Sequence, residues 1–181
     1  MNLPSGVWIS ENFFAGHASL YQALLDGVTW NERLRARKTA SFGQPYNYSG
    51  VTYDAVPFPD LLLPLLAAVN ERLGYASNNC LANFYPSGEA TMGFHADSTS
   101  ELAVGTGIAS VSLGAARAIT FRANADKSVE LHLLLPPGSL LFMASETQQS
   151  WKHGLLPSTN PGGRISLTFR QIREANAVPP S

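Results

Sequence analysis

Cys80-Leu-Ala-Asn-Phe-Tyr-Pro-Ser-Gly88, Gly107-Ile-Ala-Ser-Val-Ser-Leu-Gly114, Ser139-Leu-Leu-Phe-Met143 and Arg164-Ile-Ser-Leu-Thr-Phe-Arg170 share one cadence, that of short runs rich in apolar and β-branched residues cut off by turn residues. Further breaks fall at Asn124 to Lys127, at Pro136-Pro-Gly138 and at Asn160-Pro-Gly-Gly163. Segments of this length between such punctuators read as strands. The expected strands are 80–86, 91–95, 107–113, 117–122, 128–135, 139–143, 150–155 and 164–172. Eight short strands in succession predict a mainly β fold, a double-stranded β-helix or jelly roll made of two sheets.

Working outward, the residues before 80 have a different period. Phe13, His17, Leu20, Tyr21, Leu24 and Leu25 recur at three- and four-residue intervals between Glu11 and Asp26, with Ser10 or Asn12 as the expected N-cap. Leu62, Leu65, Leu66, Val69 and Leu73 do the same from about Pro59, and Gly74 supplies a C-terminal stop. Two amphipathic helices are therefore expected to flank the β region and cover one sheet. No repeat or linker interrupts the 181 residues, so one domain is expected over 1–181, with helices and a lid region in 1–79 and the jelly-roll core in 80–172.

Composition excludes several classes. Twelve Lys and Arg against 13 Asp and Glu give a net charge of -1, so binding to a polyanion by overall charge is excluded and needs a local patch. A single cysteine, Cys80, excludes an internal disulfide framework and a Cys-rich zinc site, and fits a cytoplasmic location. The start Met-Asn-Leu-Pro-Ser lacks the pattern of a secretory signal. The longest apolar run, Leu61 to Val69, is broken by Pro64 and falls short of the roughly 20 residues of a membrane span. No membrane partner is expected.

Two features carry chemistry. His95 and Asp97 end a strand-like segment two residues apart, so both side chains project from one face. His153, in a later strand, is the candidate third ligand. Two imidazoles and one carboxylate leave open positions on a metal, the facial arrangement of non-haem Fe(II) oxygenases. In Arg164-Ile-Ser-Leu-Thr-Phe-Arg170, Arg164, Ser166, Thr168 and Arg170 share one face, and Ile165, Leu167 and Phe169 share the other. Two guanidiniums on one face suit a dicarboxylate, because the planar fork offers paired charge-assisted hydrogen bonds. An ordinary His–Asp pair at a turn and two surface ion pairs remain the alternative readings.

Taken together with their surroundings, these residues resemble the AlkB-type dioxygenases that use Fe(II) and 2-oxoglutarate. The resemblance is carried, in family order, by Asn83-Phe-Tyr85-Pro-Ser-Gly88, Met92-Gly-Phe-His95-Ala-Asp97, Ile108 to Gly114, Gly138 to Met143, Gln149-Ser-Trp-Lys-His153 and Arg164 to Arg170. Arg37-Lys-Thr-Ala-Ser-Phe-Gly43 with Tyr46-Asn-Tyr48-Ser is similar to the family's variable lid. The resemblance implies that His95, Asp97 and His153 bind Fe(II), that Arg170 and Asn83 meet the 1-carboxylate of 2-oxoglutarate, and that Arg164 and Tyr85 meet the 5-carboxylate. Ser166 stands where some members have Asn. The implied reaction converts 2-oxoglutarate and O2 to succinate and CO2 and hydroxylates an alkyl group, which leaves an N-methyl base as formaldehyde.

The expected partner is alkylated nucleic acid, met by a monomer. Arg33, Arg35 and Arg37 alternate with Leu34 and Ala36, so an extended segment would turn them into a phosphate-contacting face beside Lys38. Phe42, Tyr46, Tyr48 and Tyr53 lie in the lid, and Tyr46 is the foremost candidate to stack a base. Two positions after Asp97, DNA-repairing relatives often carry an acid near the target base, whereas this chain has Thr99. A protein side chain or metabolite as substrate, and a non-catalytic jelly-roll binding module, are the competing readings.

Overall fold

Alternation along Arg164–Arg170 produces a strand with both faces buried, and the rest of the architecture forms around it. The computed structural model describes residues 3–46 and 54–173. The elements in chain order are β1 (Val7–Ser10), α1 (His17–Gly27), β2 (Lys38–Gly43), α2 (Leu63–Leu73), β3 (Asn79–Tyr85), β4 (Met92–His95) and β5 (Gly107–Gly114). They continue with β6 (Arg117–Ala123), β7 (Glu130–Leu135), β8 (Leu140–Ala144), α3 (Thr147–Ser150), β9 (Trp151–Leu155) and β10 (Arg164–Arg170). All eight strands expected after residue 79 are present.

They form two sheets, one ordered β1-β8-β5-β10-β3-β2 and the other β4-β9-β6-β7, with antiparallel pairing throughout. This is the double-stranded β-helix, with β1 and β2 added at the edges of the larger sheet. The register aligns alternating residues: Leu167 lies between Ala82 and Val111, and Ser166 between Asn83 and Ser112. Consequently Cys80, Ala82, Ala109, Val111, Leu113, Ile165, Leu167 and Phe169 face outward, where Leu20 and Leu24 of α1 and Leu65 and Val69 of α2 cover them. Ile108, Phe121, Leu133, Leu135, Leu141 and Met143 fill the space between the sheets. Burying a side chain of this size stabilises the fold by roughly 1.5 to 3 kcal/mol.

The flanking helices differ in detail from expectation. α1 starts at His17, later than Glu11, and its N-cap is Gly16 instead of Ser10 or Asn12. Asn12 adopts a positive φ of 53°, which ends any helix there. α2 is entered through a 3-10 turn at Asp60–Leu62, and Gly74 caps it at φ 74° with its N–H bonded to Asn70 O at 2.9 Å. Among the described residues no helix is long and apolar enough to cross a membrane.

Candidate active site

Polar residues on the inner face of β3, β5 and β10 meet the ends of β4 and β9 in a cavity between the sheets. The cavity holds about 60 Å³ and opens to solvent. Asn83, Tyr85, His95, Asp97, Ser110, His153, Arg164, Ser166, Thr168 and Arg170 line its polar part, and Ile119, Leu135, Leu141 and Met143 its apolar part.

The three candidate ligands converge. β4 and β9 pair Met92 with Leu155 but His95 with His153, so a register shift lies between Met92 and His95. This bulge rotates the end of β4 and brings His95 directly opposite His153, with ring centroids 4.4 Å apart. Asp97 follows on the outgoing loop, and one potential ligand atom from each residue lies within 4.8 Å of the others. His95 Nδ1 sits 2.9 Å from Gly93 O, a second partner that fixes the ring's orientation, and Nε2 lies 3.4 Å from Asp97 Oδ1. Arg170 Nη2 donates to Asp97 Oδ2 at 2.8 Å. Burial opposes ionisation of Asp97, but Arg170 with the two histidines outweighs it and holds the carboxyl well below the usual carboxylate range. Burial also pulls the His153 imidazole down to about 4, so at neutral pH it is an uncharged donor. A carboxylate and two imidazoles converging on one point fit Fe(II).

The arginines occupy separate depths. Arg170 is 2% exposed, with the Tyr46 ring centroid 4.2 Å from its Cζ. Arg164 is buried, donates from Nη2 to Ser112 Oγ at 2.8 Å, and has no carboxylate partner among the described residues. Its Nε is buried without a hydrogen-bond partner. Burial lowers its guanidinium to about 10, which still leaves it charged at neutral pH. A buried cation facing a cavity with no counter-ion of its own fits a carboxylate ligand, and Tyr85 lies alongside with its ring centroid 5.7 Å from the guanidinium carbon. Ser166 Oγ pairs with Ser110 Oγ at 2.9 Å on the same wall.

Other expected site residues stand elsewhere. Arg37 does not join Arg33 and Arg35 on one face: the chain turns at Leu34 to Ala36, leaving Arg33 and Arg35 exposed while Arg37 is buried and its Nε donates to Asn83 Oδ1 at 2.8 Å. Tyr46, 1% exposed, lies against Arg170 with its hydroxyl donating to Ser98 O at 3.3 Å, so in this arrangement it braces the site and offers no face to a base. Phe42 belongs to the helix-covered core. Thr99 is half-buried, outside the cavity lining, and its carbonyl accepts Leu102 N–H at 3.1 Å. Tyr48 and Tyr53 lie outside the described residues.

Sequence reading missed two buried polar residues. Gln148 of α3 accepts the Asp97 backbone N–H at 3.0 Å and donates to Met143 Sδ at 3.7 Å, fixing the carboxylate's main chain. Arg117 donates to the carbonyls of Ser87, Ala90 and Leu156, tying together two loops at the Tyr85 end of the cavity. Neither carried a signal, since Gln148 lies in a turn-like Gln pair and Arg117 has no charged partner in sequence.

Residues 5–170 match the family model of the 2OG-Fe(II) oxygenase superfamily. The chain belongs to that superfamily. Within it the chain is AlkB-type. It is 37% identical over 147 residues to the mouse (Mus musculus) DNA oxidative demethylase ALKBH2, covering 75% of this chain and 62% of the relative. Against the alpha-ketoglutarate-dependent dioxygenase alkB homolog 3 of Bos taurus it is 31% identical over 176 residues, covering 85% and 61%. The uncharacterized protein R406 of Acanthamoeba polyphaga mimivirus is 36% identical over 129 residues, covering 69% and 65%. The chain thus spans between about half and two thirds of the curated relatives it matches. The solved structure of OsALKBH1 superposes with a TM-score of 0.68 over 94% of this chain and 100% of that one at 19% identity, a likeness in fold. The superfamily implies Fe(II), 2-oxoglutarate and O2 as cofactor and cosubstrates, in agreement with the donor set described above.

Proposed function

We propose that the protein is a dioxygenase that removes alkyl groups from N-alkylated nucleobases in DNA or RNA. The observation that carries the chemistry is the buried, acid-free Arg164 in the same cavity as the His95, Asp97 and His153 cluster. A carboxylate and a redox metal can be held there together. The bound metal and cosubstrate would supply oxidation: 2-oxoglutarate and O2 become succinate and CO2, one oxygen atom enters succinate, the other hydroxylates the alkyl carbon, and a hydroxymethyl group on nitrogen leaves as formaldehyde.

The chain's own residues hold and orient. Gly93 O orients the His95 ring through Nδ1, and Arg170 occupies Asp97 Oδ2, so Oδ1 would be the oxygen offered to the metal. Arg170 and Asn83 meet the inner carboxylate, Arg164 and Tyr85 the outer one, and Ser166 the wall between them. Ile119, Leu135, Leu141 and Met143 keep water from the apolar side. The nucleic-acid substrate is supported by the likeness to ALKBH2 and alkB homolog 3, and by the exposed Arg33 and Arg35. With Arg37 turned inward, Tyr46 and Thr99 are not the leading base contacts, and Tyr48 remains the stacking candidate. A monomer acting in the cytoplasm fits a lone cysteine that is fully buried.

Incubation of Fe(II)-loaded protein with 2-oxoglutarate, O2 and methylated oligonucleotides tests both levels. Succinate and formaldehyde should form together in equal amounts. No succinate under any condition would refute the dioxygenase reading and favour a binding module. Succinate that no methylated oligonucleotide stimulates, with no formaldehyde, would transfer the chemistry to a protein side chain or metabolite, a reading favoured by the net charge of -1 and by Thr99.

A further inference from the structure

We infer that Arg37 is a positioning residue for the cosubstrate, which acts by fixing which edge of Asn83 faces the cavity. The inference rests on the proposed function, in that the cavity is taken to receive 2-oxoglutarate. Thr39 pairs with Asn83 across β2 and β3, so Arg37, two residues earlier, lies on the same inward face. Its Nε lies 2.8 Å from the Asn83 amide, and both residues are buried, at 9% and 4% exposure.

An asparagine amide has a donor edge and an acceptor edge that are nearly isosteric, and the protein decides which one points where. A guanidinium N–H can only donate. The atom it meets must therefore be Oδ1, and Nδ2 with its two hydrogens is turned into the cavity that Asn83 lines. A donor edge there complements a carboxylate. The reverse orientation would set two oxygens against each other and weaken the anion's binding. Arg37 thus contributes to cosubstrate affinity without touching the cosubstrate, and its position next to the exposed Arg33 and Arg35 loop places that control beside the candidate phosphate contacts.

Binding is measured by isothermal titration of 2-oxoglutarate into protein loaded with Mn(II) in place of Fe(II), so that no turnover occurs. Arg37→Met should raise the Kd about tenfold, the effect of one charge-assisted hydrogen bond, and Arg37→Lys should recover part of it. In an Asn83→Ala background Arg37→Met should have almost no further effect, because the two act in series. Asn83→Asp keeps Arg37 paired but replaces the donor edge with an acceptor, and should weaken binding whether or not Arg37→Met folds. An unchanged Kd in Arg37→Met, full additivity with Asn83→Ala, or wild-type affinity in Asn83→Asp would each overturn the inference while leaving the dioxygenase reading intact. Wild-type protein that binds Mn(II) but no 2-oxoglutarate would overturn the dioxygenase reading itself, and the inference with it.

Discussion

Arg164 and His153 are both ionisable groups held in the interior, and they make opposite demands. Arg164 keeps its charge and has no acid beside it, so the cavity is short of one anion. Arg164→Ala should raise the 2-oxoglutarate Kd on the order of 100-fold or more, since removing one member of a buried charge pair costs roughly 3 to 5 kcal/mol, against under about 1 kcal/mol for an exposed pair. An unchanged Kd would return Arg164 to a purely structural role. His153 gives up its charge instead. The unfolded chain takes up a proton near the ordinary histidine value of about 6.5, whereas the folded chain resists until about 4. Metal-free protein should therefore hold His153's full contribution above about pH 6.5 and lose it as pH falls toward 4, by up to about 3 kcal/mol. Urea midpoints measured with chelator between pH 7 and 4 should slope downward in wild type and less so in His153→Asn; parallel slopes would show that another group titrates.

At the level of elements, legibility followed the strength of each segment's pattern. Strands β3 to β10 were readable because each is a short run rich in apolar and β-branched residues that turn residues close. β1 escaped because its four residues, Val7-Trp-Ile-Ser10, are all half-buried, a pattern with no clean alternation. β2 escaped because it lies in what reads as a lid, although four of its residues, Thr39 to Phe42, are buried as they pair with β3. That second omission also misplaced Arg37: the turn at 34–36 breaks the period of two, and no composition rule places it. β2 ends at Gly43, where φ is +80° and a Cβ would lie 2.0 Å from Asn78 O. Gly43→Ala should destabilise the protein by at least about 1 kcal/mol, through backbone strain and a contact with main chain that cannot turn aside. A thermal midpoint equal to wild type would mean that the β2 terminus relaxes freely.

Over the whole molecule, His95, Asp97 and His153 were legible as a candidate cluster from their residue types, and the shared face of Arg164 and Arg170 from strand periodicity, although a bulge in β4 and the loop after it, not strand alternation, bring Asp97 to the histidines. Contacts that depend on tertiary closure were not, as Gln148 beneath Asp97 and Tyr46 beneath Arg170 show. The same closure reduces the expected phosphate-contacting set from three arginines to two, Arg33 and Arg35. With a net charge of -1, long-range attraction to nucleic acid must be weak and local. The affinity for single-stranded oligonucleotide should fall with salt at a log–log slope of about 0.7 per contact, or about 1.4 from these two. Arg33→Ala with Arg35→Ala should flatten that part of the slope, and equal salt sensitivity in the double variant would place the contacts on other residues.

All seven residues of β10 are buried, packing residues on one face and cavity residues on the other. Point substitutions test these faces one at a time, whereas a change of length affects them together. One residue inserted near Ser166 would exchange the faces downstream, driving Arg170 into the helix-covered layer and Phe169 toward His95, Asp97 and His153. In the loop 157–162, which joins β9 to β10, the same insertion would leave both faces in register. Gene libraries carrying single-codon insertions should therefore return folded protein from the loop and none from the strand. Tolerance to insertion is thus set by the strand's parity, a constraint that no single side chain carries.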